Sequence, residues 1–150
     1  MFRGQFVHTI DAKGRVSLPA RFRESIVANG DARLVLTPAP FDPCLHLYPL
    51  ADFAELEKKI DNLSRFEPDI VRFRRLYVSA ALECELDAGG RVLVSPDYRA
   101  RAHLGKEVLV AGMGRVIELW SKDLWDRATA PLAAEEQERF MRRVEELIRI

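Results

Sequence analysis

The sequence predicts a β-rich α+β fold in which two pseudo-symmetric units pack as one body, and three observations carry that prediction. The segment DAKGRVSLPARFR, starting at Asp11, returns 76 residues later as DAGGRVLVSPDYR, starting at Asp87. In that register Asp11, Ala12, Gly14, Arg15, Val16 and Arg23 meet Asp87, Ala88, Gly90, Arg91, Val92 and Arg99 as identities. Ile10, Leu18 and Phe22 meet Leu86, Val94 and Tyr98 as like for like, which makes this an internal repeat. Each copy is followed by two short runs rich in β-branched and apolar residues, the mark of strands. Finally, each half is only about 45 residues long, too small to bury a core by itself, so the halves must share one.

The elements follow in order. Phe6 to Ile10 and Arg15 to Leu18 read as strands. Between them the DAKG turn offers an Asp to bond its own backbone and a Gly free to take positive φ, so the pair reads as a hairpin. Pro19 suits the start of a helix with Phe22 and Ile26 on one face, and Asn29-Gly30-Asp31 ends it. Leu34 to Thr37 is a third strand, the proline-rich stretch Pro38 to Pro43 a loop, and Cys44 to Tyr48 a fourth strand. Asp52 and Glu55 form a capping-box pattern ahead of Phe53, Leu56, Ile60 and Leu63 at helical spacing. Pro68 opens another helix carrying Ile70, Phe73 and Tyr77.

The second copy repeats the order. Leu82 to Leu86 and Arg91 to Val94 flank the turn Asp87 to Gly90, Ser95 caps a short helix opening at Pro96, and Glu107 to Ala111 and Val116 to Trp120 are strands joined by a Gly112-Met113-Gly114 turn. Near the end, Phe140, Met141, Val144, Leu147 and Ile148 form an amphipathic stripe running to Ile150. The expected organisation is a first unit over 5–52, a helical connector over 53–80, a second unit over 81–124 and a C-terminal helical segment over 125–150. The connecting helices would have apolar faces to spare for the body or for neighbouring subunits.

Several function classes lose ground at once. With 23 basic and 23 acidic residues in 150, the net charge is zero, which argues against a uniformly basic nucleic-acid binder but not against a local basic face. From Met1 to Ser25 the cations Arg3, Lys13, Arg15, Arg21 and Arg23 outnumber Asp11 and Glu24. No apolar run approaches the ~18 residues of a membrane span. The N-terminus has no signal-peptide apolar region, so a cytoplasmic location is expected, with Cys44 and Cys84 as reduced buried thiols. His8, His46 and His103 are scattered. Cys44 and His46 point to one face of a strand, but no second Cys/His pair accompanies them, so they read as packing residues and no metal or cofactor is expected. No nucleophile elbow, zinc-protease or phosphate-loop motif occurs, and Gly112-Met113-Gly114 is no dinucleotide fingerprint. Asp11 and Asp87 read as turn formers with Gly14 and Gly90, not as a catalytic carboxylate pair.

The arginines are more informative. Arg15 and Arg91 each follow a glycine turn at the start of a strand. There a guanidinium is held with little entropy loss, as two-pronged recognition of a phosphate or a guanine edge requires. Lys13 adds a point charge, Arg21 and Arg23 extend the face, and Arg3 lies near the start of the first strand. In the second copy Lys13 becomes Gly89 and Arg21 becomes Asp97, leaving Arg91 and Arg99. A weaker second site follows.

These motifs, MFRG, DAKGRVSLPARFR, CLHLYP, DAGGRVLVSPDYR and VIELW in that order, resemble the MraZ family of bacterial transcriptional regulators from Met1 to about Trp125. That family belongs to the AbrB/MazE-like group, so the resemblance implies two swapped-hairpin SpoVT-AbrB-type units of the double-split β-barrel kind in one chain. It also implies a non-enzymatic, nucleoid-associated regulator of double-stranded DNA. Such a regulator binds short tandem promoter boxes of a division and cell-wall gene cluster that includes its own gene, and it self-associates into a ring. The family's DxxxR element falls on Asp11 to Arg15 and Asp87 to Arg91. The sequence departs from it in the second unit, where the turn lysine is missing and proline falls one residue later. The alternative is an antitoxin-like protein-interaction module of the same fold without its own DNA target. An acidic disordered tail would favour that alternative; the helical stripe near the end does not.

Overall fold

The computed structural model describes residues 1–149. The first half contains β1 (Phe2–Thr9), β2 (Arg15–Ser17), α1 (Ala20–Ala28), β3 (Arg33–Pro38) and β4 (Leu45–Pro49). Two helices connect the halves, α2 (Leu50–Asp61) and α3 (Pro68–Phe73), the latter continuing into a π-helical turn over Arg74–Val78. The second half repeats the pattern with β5 (Leu82–Glu85), β6 (Arg91–Leu93), α4 (Pro96–Arg101), β7 (Glu107–Gly114) and β8 (Ile117–Ser121), followed by α5 (Lys122–Ala128) and α6 (Ala134–Ile148).

Strand pairing makes the two halves inseparable. A six-stranded antiparallel sheet runs β1-β7-β8-β4-β3-β5, and β2 pairs with β6 in a separate two-stranded ribbon. Exchanging each strand for its repeat mate reverses the order of the large sheet, so a pseudo-two-fold axis relates the halves. Among the described residues the β3–β4 and β7–β8 hairpins are the ladders that stay within one half; the β1–β7, β3–β5, β4–β8 and β2–β6 ladders all cross between halves. The axis passes between Val16 and Val92, which face each other at the centre of the ribbon, and between His46 and Glu118 at the centre of β4–β8. The strands form an open sheet and a ribbon, not a closed barrel.

The shared core lies between ribbon and sheet. Val16, Leu18, Phe22, Ile26, Leu34, Leu45, Leu47, Val92, Val94, Val108, Val110, Ile117 and Leu119 are buried together. Phe22 meets Phe2 and Phe6 edge-on at 5.3 and 5.5 Å. At about 1.5–3 kcal/mol for each large apolar side chain buried, this shared core is what a half alone would forgo.

Four sequence-based expectations need correction. Phe6–Ile10 and Arg15–Leu18 do not form an ordinary hairpin: the turn is present, but β1 and β2 are joined only by the Ile10–Val16 bridge. β1 is drawn into the large sheet by β7, while β2 crosses to β6. Asp52 does not cap α2, because β4 runs straight into it and Pro49 holds the N-cap position; Asp52 sits in the first turn, where its charge suits the helix dipole. Gly112 belongs to β7, and the turn lies beyond Gly114. A Cβ at Gly112 would stand 2.5 Å from the backbone of Phe2 and Arg3, so glycine there lets β1 approach. Cys84 is only partly buried, unlike Cys44.

The helical segment expected over 125–150 is two helices, and the first, the short α5, starts three residues earlier, at Lys122. It stands after β8 as α2 stands after β4, so the repeat itself accounts for it. Helix α6 carries the anticipated apolar stripe but buries none of it: Phe140, Met141, Leu147 and Ile148 are exposed, Leu147 at 65%. Ile150, placed at the end of that stripe, lies outside the described residues. Among the described residues no helix is long and apolar enough to cross a membrane.

Candidate nucleic-acid interface

The two glycine turns come together at the β2–β6 ribbon. Strand alternation turns Val16 and Val92 into the core and leaves Arg15, Ser17, Arg91 and Leu93 on the opposite face. Arg15 pairs with Leu93 and Ser17 with Arg91, so the two arginines occupy diagonal positions, whose Cα atoms lie roughly 7–8 Å apart in such a pair.

Each turn is built by its aspartate. Asp11 Oδ1 accepts the backbone N–H groups of Lys13 and Arg15 at 3.0 and 2.9 Å, and Asp87 Oδ1 accepts those of Gly89 and Arg91 at 2.9 Å each. The second carboxylate oxygen then takes the guanidinium. Arg15 Nε donates to Asp11 Oδ2 at 2.7 Å, and Arg91 Nε donates to Asp87 Oδ2 at 2.9 Å. The backbone N–H of Arg15, backed by its guanidinium, holds the Asp11 carboxyl below its ordinary range despite partial desolvation, and Arg91 does the same for Asp87. The ion pairs use the inner Nε edge of each guanidinium. That contact fixes each guanidinium against its own turn. Arg91 Nη1 also stands 3.9 Å from Asp11, so the two sites adjoin.

The glycines lock the two turns to each other. Leu18 N–H donates to Gly90 C=O at 3.1 Å, and its repeat mate Val94 donates to Gly14 C=O at 2.8 Å. Gly14 and Gly90 have φ of +88° and +74°. A Cβ on Gly14 would meet the backbone Val94 O at 2.6 Å and the Arg99 guanidinium at 2.9 Å, and one on Gly90 would run into the Arg23 side chain, which would have to move.

Arg23 and Arg99 are thus exchanged between the halves. Arg23 lies over the second turn and Arg99 over the first, each with its Nε buried and, among the described residues, without a hydrogen-bond partner. Arg23, expected to extend the face of Arg15 from the helix that follows, lies against Gly90 of the other turn. Lys13 is exposed on the first turn, and Arg21 is exposed in the first turn of α1. Arg3 is not brought to the cluster. It is exposed on β1, six residues before the strand ends, about 20 Å at strand rise. In all, Lys13, Arg15, Arg23, Arg91 and Arg99 gather at the two turns built by Asp11 and Asp87, so a chain of zero net charge concentrates cations there. Two neighbours were missed by the sequence reading, Ser17 and the 60% exposed Leu93. The period-2 alternation from Arg15 and Arg91 was the signal that could have found them.

Comparison with known proteins agrees with this architecture. The family model for the MraZ protein, which carries an antitoxin-like description, matches residues 1–76 and again 78–146. The chain belongs to the MraZ family. Among its relatives, proteins named transcriptional regulator MraZ are 43% identical in Desulforamulus reducens (89% of this chain, 91% of the relative), 40% in Coxiella burnetii strain RSA 493 (91% and 90%) and 40% in Escherichia coli K12 (83% and 82%). The two stretches that match the MraZ model meet beside Tyr77, in the connector before β5, so each contains one aspartate–arginine turn.

A second polar cluster lies on the other side of the sheet. His46 on β4 faces Glu118 on β8 with Nε2 3.2 Å from Oε2. Its Nδ1 lies 2.6 Å from the hydroxyl of buried Tyr77, which in turn pairs with the Tyr48 hydroxyl at 2.5 Å. Trp120 Nε1–H donates to the other Glu118 oxygen at 2.9 Å, and His46 first and Trp120 next hold the Glu118 carboxyl below its ordinary range. Sequence separation hid this cluster, since His46 and Glu118 stand 72 residues apart.

Proposed function

We propose that the chain is a sequence-specific, DNA-binding transcriptional regulator, not an enzyme, that acts in the cytoplasm at the nucleoid. Its target would be short tandem boxes in the promoter of a division and cell-wall gene cluster that includes its own gene. One observation carries this reading: two arginines, each fixed by its own turn aspartate, share the exposed face of a two-stranded ribbon. A two-stranded ribbon fits the DNA major groove, and a guanidinium tied to its turn aspartate through Nε can offer terminal nitrogens to guanine O6 and N7, Arg15 more readily than Arg91, whose Nη1 stands 3.9 Å from Asp11. The names of the relatives support the same reading.

Each good two-pronged arginine–base contact is worth about 1–3 kcal/mol of discrimination, so one subunit would bind weakly. Several subunits on adjacent boxes raise affinity through effective concentration. The uncovered apolar stripe of α6 supports self-association, which the family resemblance makes a ring. On this reading the units over 5–52 and 81–124 present the turns, 53–80 connects them, and 125–150 serves assembly. The first turn is the stronger contact, because Lys13 and Arg21 have no basic counterparts in the second, where Gly89 and Asp97 stand.

Gel retardation on the DNA upstream of the chain's own gene tests the proposal. A complex that depends on repeated boxes, and that Arg15→Ala abolishes while leaving fold and assembly intact, is the expected result. Undiminished binding by that variant would overturn the role given to Arg15. A stoichiometric protein partner, with no DNA binding at low salt, would favour the antitoxin-like alternative. Removing residues 134–150 should lower the mass seen by light scattering while leaving the β body folded.

A further inference from the structure

Cys44, His46 and Glu118 bring a thiol, an imidazole and a carboxylate to one point, their ligand atoms all within 4.8 Å of one another. Cys44 and His46 share the outer face at β4 by strand alternation, and Glu118 is the direct cross-strand partner of His46. The sequence alone displayed two ligands; the fold supplies the third. The 3.2 Å between His46 Nε2 and Glu118 Oε2 matches the separation of two donors bound to one ion at about 2.0–2.1 Å in a near-tetrahedral shell.

Both partners of that pair are already aimed. With an ion in place of the Nε2 proton that now faces Glu118, Nδ1–H of His46 would donate to the Tyr77 hydroxyl and the Nε2 lone pair would point at the ion, while Trp120 holds one Glu118 oxygen and leaves the other toward His46. Outer partners of this kind characteristically orient metal-binding imidazoles and carboxylates. Charge also balances. A divalent ion displacing the thiol proton to solvent would face one thiolate and one carboxylate beside a neutral imidazole, a site with no net charge to bury.

We propose that Cys44, His46 and Glu118 bind a zinc-class divalent cation, with water in the fourth position, and that the ion clamps β4 to β8. That seam joins the two halves through only three facing residue pairs, Leu45–Leu119, His46–Glu118 and Leu47–Ile117. The mixed sulfur, nitrogen and oxygen donors suit zinc rather than magnesium or calcium.

The test is a cobalt(II) titration of the full chain, reduced and freed of metal with a chelator. One equivalent should produce visible bands of a four-coordinate site and a near-ultraviolet thiolate-to-cobalt band, both removed by added zinc. Cys84→Ser should keep the thiolate band and Cys44→Ser should lose it. Zinc should raise the thermal midpoint of the wild-type chain. Absence of these bands in the folded wild-type chain would overturn the proposal and leave His46–Glu118 an ion pair only. Loss of the thiolate band in a folded Cys84→Ser variant would overturn it equally. Both readouts stand even where Cys44→Ser fails to fold.

Discussion

Gly14→Ala probes the lock between the two turns. Gly14 has φ +88°, so any L side chain there costs about 1–2 kcal/mol in backbone strain. The added Cβ would also stand 2.6 Å from the carbonyl oxygen of Val94. That oxygen is backbone and cannot swing aside as the Arg99 stem can. Relief requires moving β2 from β6, at the expense of the 2.8 Å hydrogen bond from Val94 N–H to Gly14 C=O. Overpacking of this kind adds about 1–3 kcal/mol. Gly30→Ala is the control: φ is +77° there, but nothing lies within 4 Å of the new Cβ, so only the strain is felt. At roughly 2–4 °C per kcal/mol for a chain of this size, Gly14→Ala should melt several degrees below Gly30→Ala by circular dichroism. Equal losses for the two variants would refute the close-approach argument and reduce both to backbone strain.

The other predictions concern binding, pH and the core. Arg91→Ala should weaken DNA binding less than Arg15→Ala, and Lys13→Ala should lower affinity for all sequences alike while reducing the log–log salt slope by about 0.9, measured by fluorescence anisotropy across a salt series. The depressed carboxyls of Asp11 and Asp87 mean that the folded chain binds fewer protons than the unfolded one as pH falls. Their stabilisation is therefore present above about pH 4 and lost as pH falls through their folded values, and Asp11→Asn combined with Asp87→Asn should flatten the acid limb of urea midpoint against pH. Thr37 is fully buried and its hydroxyl donates to the Tyr77 carbonyl at 2.8 Å; Thr37→Val leaves that carbonyl unmet and should cost about 1–3 kcal/mol in urea denaturation.

What could be read in the sequence was whatever is local or repeated. The aspartate and glycine of each turn announce themselves because their roles lie within five residues, and the 76-residue echo demanded a shared core. Strand partners were harder. An Asp-Ala-Lys-Gly turn between two apolar runs looks the same whether the second run folds back on the first or crosses to its copy, and burial of Val16 against Val92 decides between them. The exchange of Arg23 and Arg99 follows from that crossing. The Cys44–His46–Glu118 cluster depends on the β4–β8 pairing, which no window of sequence contains. Leu47-Tyr48-Pro49 and Leu119-Trp120-Ser121 stand at matching ends of the two halves, which makes His46 and Glu118 repeat mates; that they face each other follows only from the axis passing between them.

That axis explains a freedom the chain has used. In an assembly of two identical subunits, a residue on the axis must face a copy of itself, so an acid can meet only an acid and a base only a base. Joining both halves in one polypeptide removes that restriction. At Val16 and Val92 the two positions have stayed alike, as tight apolar contact permits. At His46 and Glu118 they have parted into a complementary pair that no symmetric dimer could place there.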